Sequence, residues 1–150
     1  MTPLMATAYR SSGVRYLGLD LGRATIGLAL ADDVLRTARA LETIRRSKEA
    51  ADLDAIRRIV QEYEVDRAVV GLPINMDGTE GSSARLARAF AKKMEASLGI
   101  RVSLFDERLS TFEAETRLRH RGLAFRERRA LIDAEAAAVI LQNWLDEGKA

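Results

Sequence analysis

The chain has 150 residues, 47% of them hydrophobic, and a formal net charge of +2 at pH 7. It contains no cysteine and one histidine, which excludes disulfides and thiolate metal sites and leaves oxygen ligands for any metal. No apolar run approaches the roughly 20 residues that span a bilayer, so we expect a cytoplasmic protein with no membrane partner. We expect residues 1–14, which lack periodicity, to form a flexible tail, and residues 15–150 to form a single domain.

Three strands are predicted in the first third of the chain. Residues 15–20 alternate large apolar side chains with small or polar ones, which is typical of a half-buried strand. A tight turn at residues 22–25 should join this strand to a second one over residues 26–31, forming a hairpin. Residues 37–44 predict a weaker third strand.

A helix is predicted next, over residues 49–63, because its apolar side chains recur at helical spacing. We expect Asp52, Arg58 and Glu62 to lie on its water-facing side. Residues 67–71 contain an apolar run without polar alternation, which indicates a strand buried on both faces in the middle of a sheet.

A loop over residues 71–81 and a helix ending at Leu98 follow. Ser82 or Ser83 is placed to cap this helix, and Gly99 should end it. Its inner face is predicted to consist of four residues spaced by four: Leu86, Phe90, Met94 and Leu98.

One more strand and two helices complete the chain. The strand is predicted over residues 102–105, and Ser110 with Glu113 fits a capping box that opens a helix ending near Gly122. The last helix should run from about 127 to 146. This order predicts an α/β fold with a mixed five-stranded sheet, the first three strands antiparallel, and helices on both faces.

Asp20 ends the first strand just before Gly22. The period of two places it beside Gly18, on the face opposite the leucines of this strand. A carboxylate in this position can form a hydrogen-bonded turn or hold a hard cation, and both interpretations remain open from the residue itself.

Two adjacent acids, Asp106 and Glu107, end the last strand. Because neighbouring strand residues point in opposite directions, only one of them can share a face with Asp20. A solvated strand end paired with Arg108 is an equally good interpretation of this segment.

Asp133 falls on the apolar face of the last predicted helix. That face consists of Ala136, Ala137, Ile140, Leu141 and Trp144. The water-facing side should consist of Glu135, Gln142 and Asp146. A carboxylate on a packing face has to be capped, paired or bound to a metal, because burying it alone is costly.

The small side chains of Ala136 and Ala137 should let this helix approach the sheet closely. Asp133 would then lie near the strand ends that carry Asp20 and Glu107. Three carboxylates at close range repel one another unless divalent cations neutralise them, and an oxygen-rich site favours Mg²⁺ or Mn²⁺.

Residues 117–129 contain six arginines, one histidine and a single acid. The planar guanidinium suits phosphate recognition, yet a basic run can also be a solvated helix end, and both interpretations are retained. We interpret His120 as a cation favoured at a helix carboxyl end rather than as a catalytic residue, and Trp144 as a core residue rather than a base-stacking one.

Four motifs in this order resemble those of the YqgF or RuvX-like family, whose members are assigned as Holliday junction resolvases or ribosomal RNA precursor nucleases. The resemblance extends over roughly residues 16–145. The motifs are LDLG at 19–22 with IG at 26–27, VGLPINMDG at 70–78, DERLST at 106–111, and IDA at 132–134 with AA at 136–137.

The resemblance implies a ribonuclease H-like fold in which Asp20, Glu107 and Asp133 hold Mg²⁺ or Mn²⁺ for phosphodiester hydrolysis, with Asp106 as a reserve ligand. Two ions about 3.5–4 Å apart would act as in two-metal nucleases. The implied substrate is the small-subunit ribosomal RNA precursor. A DNA four-way junction is the alternative, and it would favour a homodimer with two symmetric sites.

The resemblance also suggests contacts to nucleic acid. Asn75 and the amides at the start of the following helix would hold a phosphate, although this loop is equally well explained as an ordinary turn. Many relatives carry lysine and arginine before Ile26, where this chain has Arg23, Ala24 and Thr25, so one cationic contact to the nucleic-acid backbone would be missing or supplied by Arg23 alone. The remaining candidates are Arg108, Arg126, Arg128 and Arg129.

Two other functions fit parts of the sequence. Sugar kinases and chaperone-type ATPases share an Asp-x-Gly strand turn, but they need two lobes and this length supplies one. A nucleic-acid-binding module without cleavage activity would keep the scaffold, and it leaves the three acids unexplained.

Overall fold

The computed structural model describes residues 13–107, 110–122 and 125–148. Its strands are β1 (Arg15–Leu21), β2 (Thr25–Asp32), β3 (Arg39–Arg45), β4 (Arg67–Leu72) and β5 (Arg101–Asp106). Its helices are α1 (Glu49–Glu62), α2 (Ser82–Leu98), α3 (Ser110–His120) and α4 (Phe125–Asp146). Among these described residues, no helix is both long enough and apolar enough to cross a bilayer.

The strands form one mixed sheet in the order β3-β2-β1-β4-β5. β1, β2 and β3 are antiparallel, whereas β4 and β5 run parallel to β1. The β1–β2 hairpin closes where the Gly22 amide donates to the Thr25 carbonyl at 2.8 Å. The predicted sheet and hairpin are therefore confirmed, and the carboxyl ends of β1, β4 and β5 lie at one edge.

Helices cover both faces of the sheet, as predicted. On one face Leu17 and Leu19 pack against α1 and α2 in the larger core cluster. On the other, Tyr16 packs against α4, where its ring meets Trp144 edge-on with centroids 5.4 Å apart. Trp144 is 3% exposed, which confirms its assignment to the core. Burial of each such large apolar side chain contributes roughly 1.5–3 kcal/mol.

Two glycines let α4 lie directly on the sheet. A Cβ at Gly27 would fall 1.9 Å from the Asp133 carbonyl oxygen, and one at Gly18 would fall 2.8 Å from the Leu141 Cβ. Ala137 faces the sheet as predicted, but Ala136 packs against α3 instead. The close approach therefore depends on missing side chains in the strands as well as on a small one in the helix.

Two acids predicted to face water are buried. Asp52 is 2% exposed, because its Oδ1 accepts the Ser47 amide at 2.9 Å and its Oδ2 lies 3.5 Å from the Arg46 Nε. Glu135 is 5% exposed. Its carboxylate oxygens lie 3.2 Å from the Arg117 Nε and 3.4 Å from an Arg121 guanidinium nitrogen. Both predictions were wrong because a cationic partner compensates the burial of each carboxylate.

The predicted inner face of α2 is wrong at Leu86, which is 71% exposed. A step of four residues rotates by 40° more than one full helical turn, so side chains spaced by four drift around the helix. Phe90 and Met94 therefore stay buried, while Leu86 lies on the exposed side. The helix begins after Gly81, and its start carries no side-chain cap. Ser82 and Ser83 therefore lie inside the helix and do not cap it.

α3 begins at Ser110 and ends close to the predicted Gly122, whose φ of 72° is the left-handed conformation that ends many helices. The Ser110 side chain, and with it the predicted capping box, lies outside the described residues.

Candidate active site at the acidic corner of the sheet

Asp20 and Glu107 meet across β4 at the carboxyl edge of the sheet. Glu107 follows β5, and its amide donates to the Leu72 carbonyl at 3.2 Å. The intervening position in β4 is Gly71, where a Cβ would fall 2.5 Å from the Glu107 Oε2. Because Gly71 has no side chain, Glu107 reaches over it and forms a side-chain hydrogen bond with Asp20.

The electrostatics of this pair favour a shared proton. Burial raises the pKa of Glu107 to about 9, and the hydrogen bond with Asp20 and the charges of Asp20 and Asp106 act in the same direction. Burial also raises the pKa of Asp20; the bond with Glu107 opposes this rise and the charge of Asp133 adds to it. Near neutral pH Glu107 therefore carries the proton and donates it toward Asp20.

Asp133 joins this pair from α4. Its half-buried Oδ2 accepts a hydrogen bond from the Thr25 hydroxyl, and its charge acts on Asp20. The packing of Gly27 against the Asp133 backbone fixes the height of the carboxylate above the sheet. The structure thus brings the three predicted acids to one corner, which we call the acidic corner (Asp20, Glu107 and Asp133).

The donor chemistry of the acidic corner fits a hard divalent cation. The Glu107 Oε2, which lies over Gly71, is buried, and no N–H or hydroxyl group among the described residues donates to it, so a proton shared with Asp20 or a cation has to satisfy it. The part of the chain that the structure describes holds no group of three or more acidic or imidazole side chains already arranged around one ion position. The Asp20 and Glu107 side chains are instead arranged around a proton, which a bound cation would have to displace.

Arg46 and Asp52 support the β1–β2 turn from behind, and we call this pair the strut behind the β1–β2 turn. It was not predicted from the sequence. The Arg46 amide donates to the Ala24 carbonyl at 2.8 Å, and its guanidinium donates to the Gly22 carbonyl at 2.9 Å. Buried Asp52 anchors the same guanidinium. This strut holds the turn that presents Thr25 to the acidic corner. No sequence signal marked Arg46, and Thr25 was named only as part of the departure from relatives before Ile26.

The other predicted site residues lie around this edge. Arg23 is exposed on the turn after β1, and Asp106 is half-buried at the end of β5. Asn75 is exposed, and its side-chain amide donates to the Thr79 hydroxyl at 3.0 Å. The Asn75 amide is thus used within its own loop, which agrees with the ordinary-turn interpretation. His120 is exposed in the last turn of α3, as its structural interpretation requires.

Four predicted nucleic-acid contacts stay untested. Arg108 lies outside the described residues, and the side chains of Arg126, Arg128 and Arg129 do as well, although α4 includes their backbone.

Comparison with solved structures defines the class of fold. The structure of Thermus thermophilus RuvC in complex with a Holliday junction substrate matches with a TM-score of 0.60 and 18% identity, over 91% of this chain and 98% of that one. The human cytomegalovirus terminase nuclease domain matches with a TM-score of 0.53 and 12% identity, over 96% and 90%. At these identities the likeness concerns the fold, which is ribonuclease H-like as predicted.

Comparison with sequences then defines the family. A family profile described as "RuvX: Holliday junction resolvase" matches residues 14–147. Two relatives carry the name "Putative pre-16S rRNA nuclease". The one from Anaeromyxobacter sp. strain K is 68% identical over 89% of this chain and 97% of that protein. The one from Myxococcus xanthus strain DK1622 is 47% identical over 89% and 88%. The chain belongs to the RuvX family, which confirms the resemblance seen in its motifs.

Proposed function

We propose that this protein is a divalent-metal-dependent nuclease that cleaves the precursor of 16S ribosomal RNA in the cytoplasm, with Asp20, Glu107 and Asp133 as its metal-holding residues. One observation carries the proposal: acidic side chains from β1, the end of β5 and α4 meet at one corner, where Glu107 reaches over Gly71 to Asp20 and the charge of Asp133 acts on Asp20. Carboxylates gathered in this way repel one another unless a proton or a cation compensates their charge, which is typical of a functional site. The names of the relatives supply the substrate.

The bound cations and the protein side chains would contribute different parts of the chemistry. A pair of Mg²⁺ or Mn²⁺ ions, when bound, supplies polarisation of a water nucleophile and neutralises charge on the leaving oxygen. Glu107 has to release its proton before its carboxylate can act as a ligand. Thr25 orients Asp133, and the negative charge of nearby Asp106 strengthens the attraction for cations.

Replacing Thr25 with valine should slow cleavage by about 10- to 100-fold, the usual effect of removing a group that orients a metal ligand. Valine keeps the branched shape but cannot donate to the Asp133 carboxylate. Single-turnover rates on a labelled RNA precursor measure the change, and Thr25→Ser should restore most of the rate. A valine variant as fast as the parent would show that Asp133 needs no orienting bond.

The substrate assignment is tested by titrating Mg²⁺ and Mn²⁺ against two matched substrates, a 16S precursor RNA and a DNA four-way junction. We expect metal-dependent cleavage of the RNA at a discrete position. Cleavage of the junction alone would favour the activity in the description of the family profile. That activity also requires a two-fold homodimer, which light scattering detects. Binding without cleavage of either substrate at any metal concentration would reject the nuclease and leave a binding module.

A further inference from the structure

A second cleft opens beside the acidic corner, between edge strand β3 and helices α3 and α4. Its volume is about 730 Å³. Its lining includes Arg39, Leu41, Thr43, Arg117, Arg121 and Ala134. We propose that this cleft, named the β3 cleft, binds the sugar-phosphate backbone of a single nucleic-acid strand next to the cleavage site. The inference deepens the proposed function and rests on it.

The cationic wall of the β3 cleft is held in place from behind. Buried Glu135 pairs with Arg117 at 3.2 Å and with Arg121 at 3.4 Å, while those two side chains stay 42% and 55% exposed. The pairing neutralises Glu135 and fixes the direction of both guanidinium groups. Each group has five N–H donors and commits one nitrogen to these ion pairs, which leaves donors for a second anion. Fixed guanidinium forks match the oxygens of a phosphodiester.

The opposite wall and the apolar side chains of the lining suit a nucleotide rather than a free anion. The wall is β3, which pairs with β2 on one side and forms an edge of the described sheet. Exposed Arg39 and exposed Glu42 place opposite charges on this wall, so the net positive charge of the cleft comes from Arg117 and Arg121, and Leu41 and Leu131 add apolar surface. Small-molecule pockets span about 300–1,000 Å³, so a cleft of this volume has room for a short single-stranded segment.

The position of the β3 cleft links it to the acidic corner. Ala134 follows Asp133 directly on α4, and Thr43 pairs with Gly27, the residue packed under the Asp133 carbonyl. A strand whose phosphate lies at the acidic corner can therefore continue into the neighbouring β3 cleft. Phosphate contacts in the β3 cleft would position the strand without reading its sequence.

The test measures binding apart from cleavage. Anisotropy of a labelled 12-nucleotide single-stranded RNA is recorded with the full chain in EDTA across a series of KCl concentrations. We expect Arg39→Glu and Arg121→Gln each to weaken binding and to reduce the slope of log K against log salt by about 0.7 for every phosphate that the variant no longer neutralises. Arg121→Gln leaves Glu135 paired with Arg117, so it should fold.

Arg58→Glu is the matched control, because Arg58 is an exposed arginine on α1, which covers the other face of the sheet. Melting curves confirm that each variant folds. Slopes equal to the parent for folded Arg39→Glu and Arg121→Gln would overturn the inference, as would an acidic peptide that competes in the β3 cleft better than RNA. Loss of RNA binding in Arg39→Glu, with no cleavage by the parent, would reject the nuclease and keep the β3 cleft.

Discussion

Asp20→Asn should reduce the rate of phosphodiester cleavage by more than about a hundredfold while the protein keeps its fold. Loss of a group that merely supports a metal ligand costs about 10- to 100-fold, so loss of a ligand itself should exceed that range. The amide is nearly the same size as the carboxylate, and it can still hydrogen-bond with Glu107. It cannot supply the negative charge that a divalent cation needs. Single-turnover cleavage of the precursor RNA and a melting curve measure the two effects.

Asp54→Asn provides the matched control, because Asp54 is an exposed aspartate on α1. The same change of charge there should leave cleavage within about twofold of the parent rate, since exposed ion pairs contribute little. If Asp20→Asn cleaved as fast as Asp54→Asn, the acidic corner would be a structural cluster and the metal site would lie elsewhere.

The strands of the sheet and their order along the chain could be predicted from the sequence because the signals for them are local. The alternation in β1, the turn at Gly22 and the apolar run of β4 each describe one segment, and together they define the order of elements. Asp20 was recognisable for the same reason, as a charge in a strand that is otherwise buried. Which of Asp106 and Glu107 meets Asp20 could not be predicted from a local pattern, because it depends on Gly71 in the neighbouring strand leaving room for a side chain.

The buried acids show where local patterns fail. Asp52 and Glu135 were assigned to water because polar residues on an amphipathic helix usually face solvent. Each is buried against an arginine from another element, Arg46 for Asp52 and Arg117 for Glu135. No spacing rule links those positions, so the strut behind the β1–β2 turn and the wall of the β3 cleft became visible only in three dimensions.

The same consideration applies to the basic run. From the sequence, residues 117–129 could be interpreted either as a phosphate-binding patch or as a solvated helix end. The structure shows that Arg117 and Arg121 neutralise a buried carboxylate and still remain half-exposed. A structural role and a phosphate contact are therefore compatible in one side chain, because a guanidinium has donors for both.

Raising the pH from about 5 to 9 should destabilise the metal-free protein more than its Glu107→Gln variant. The folded state holds a proton on Glu107, whose pKa is raised to about 9, while the unfolded chain releases it near the usual value of 4.5. The stabilisation that this proton gives the folded state is complete below pH 4.5 and is lost as the pH rises through 9. The loss is on the order of 1 kcal/mol per pH unit for one proton, or roughly 2–4 °C in Tm for a chain of this size.

Glu107→Gln removes this dependence because glutamine has no proton to lose, so the difference between the two melting curves reports the titration of the Asp20–Glu107 pair. Addition of Mn²⁺ should raise the Tm of the parent more at pH 8 than at pH 6, since the cation competes with the proton that Glu107 holds. The variant should gain less at both values. Parallel Tm profiles for parent and variant, or a Mn²⁺ effect that is larger at pH 6, would contradict a proton shared between Asp20 and Glu107 at the position of the cation.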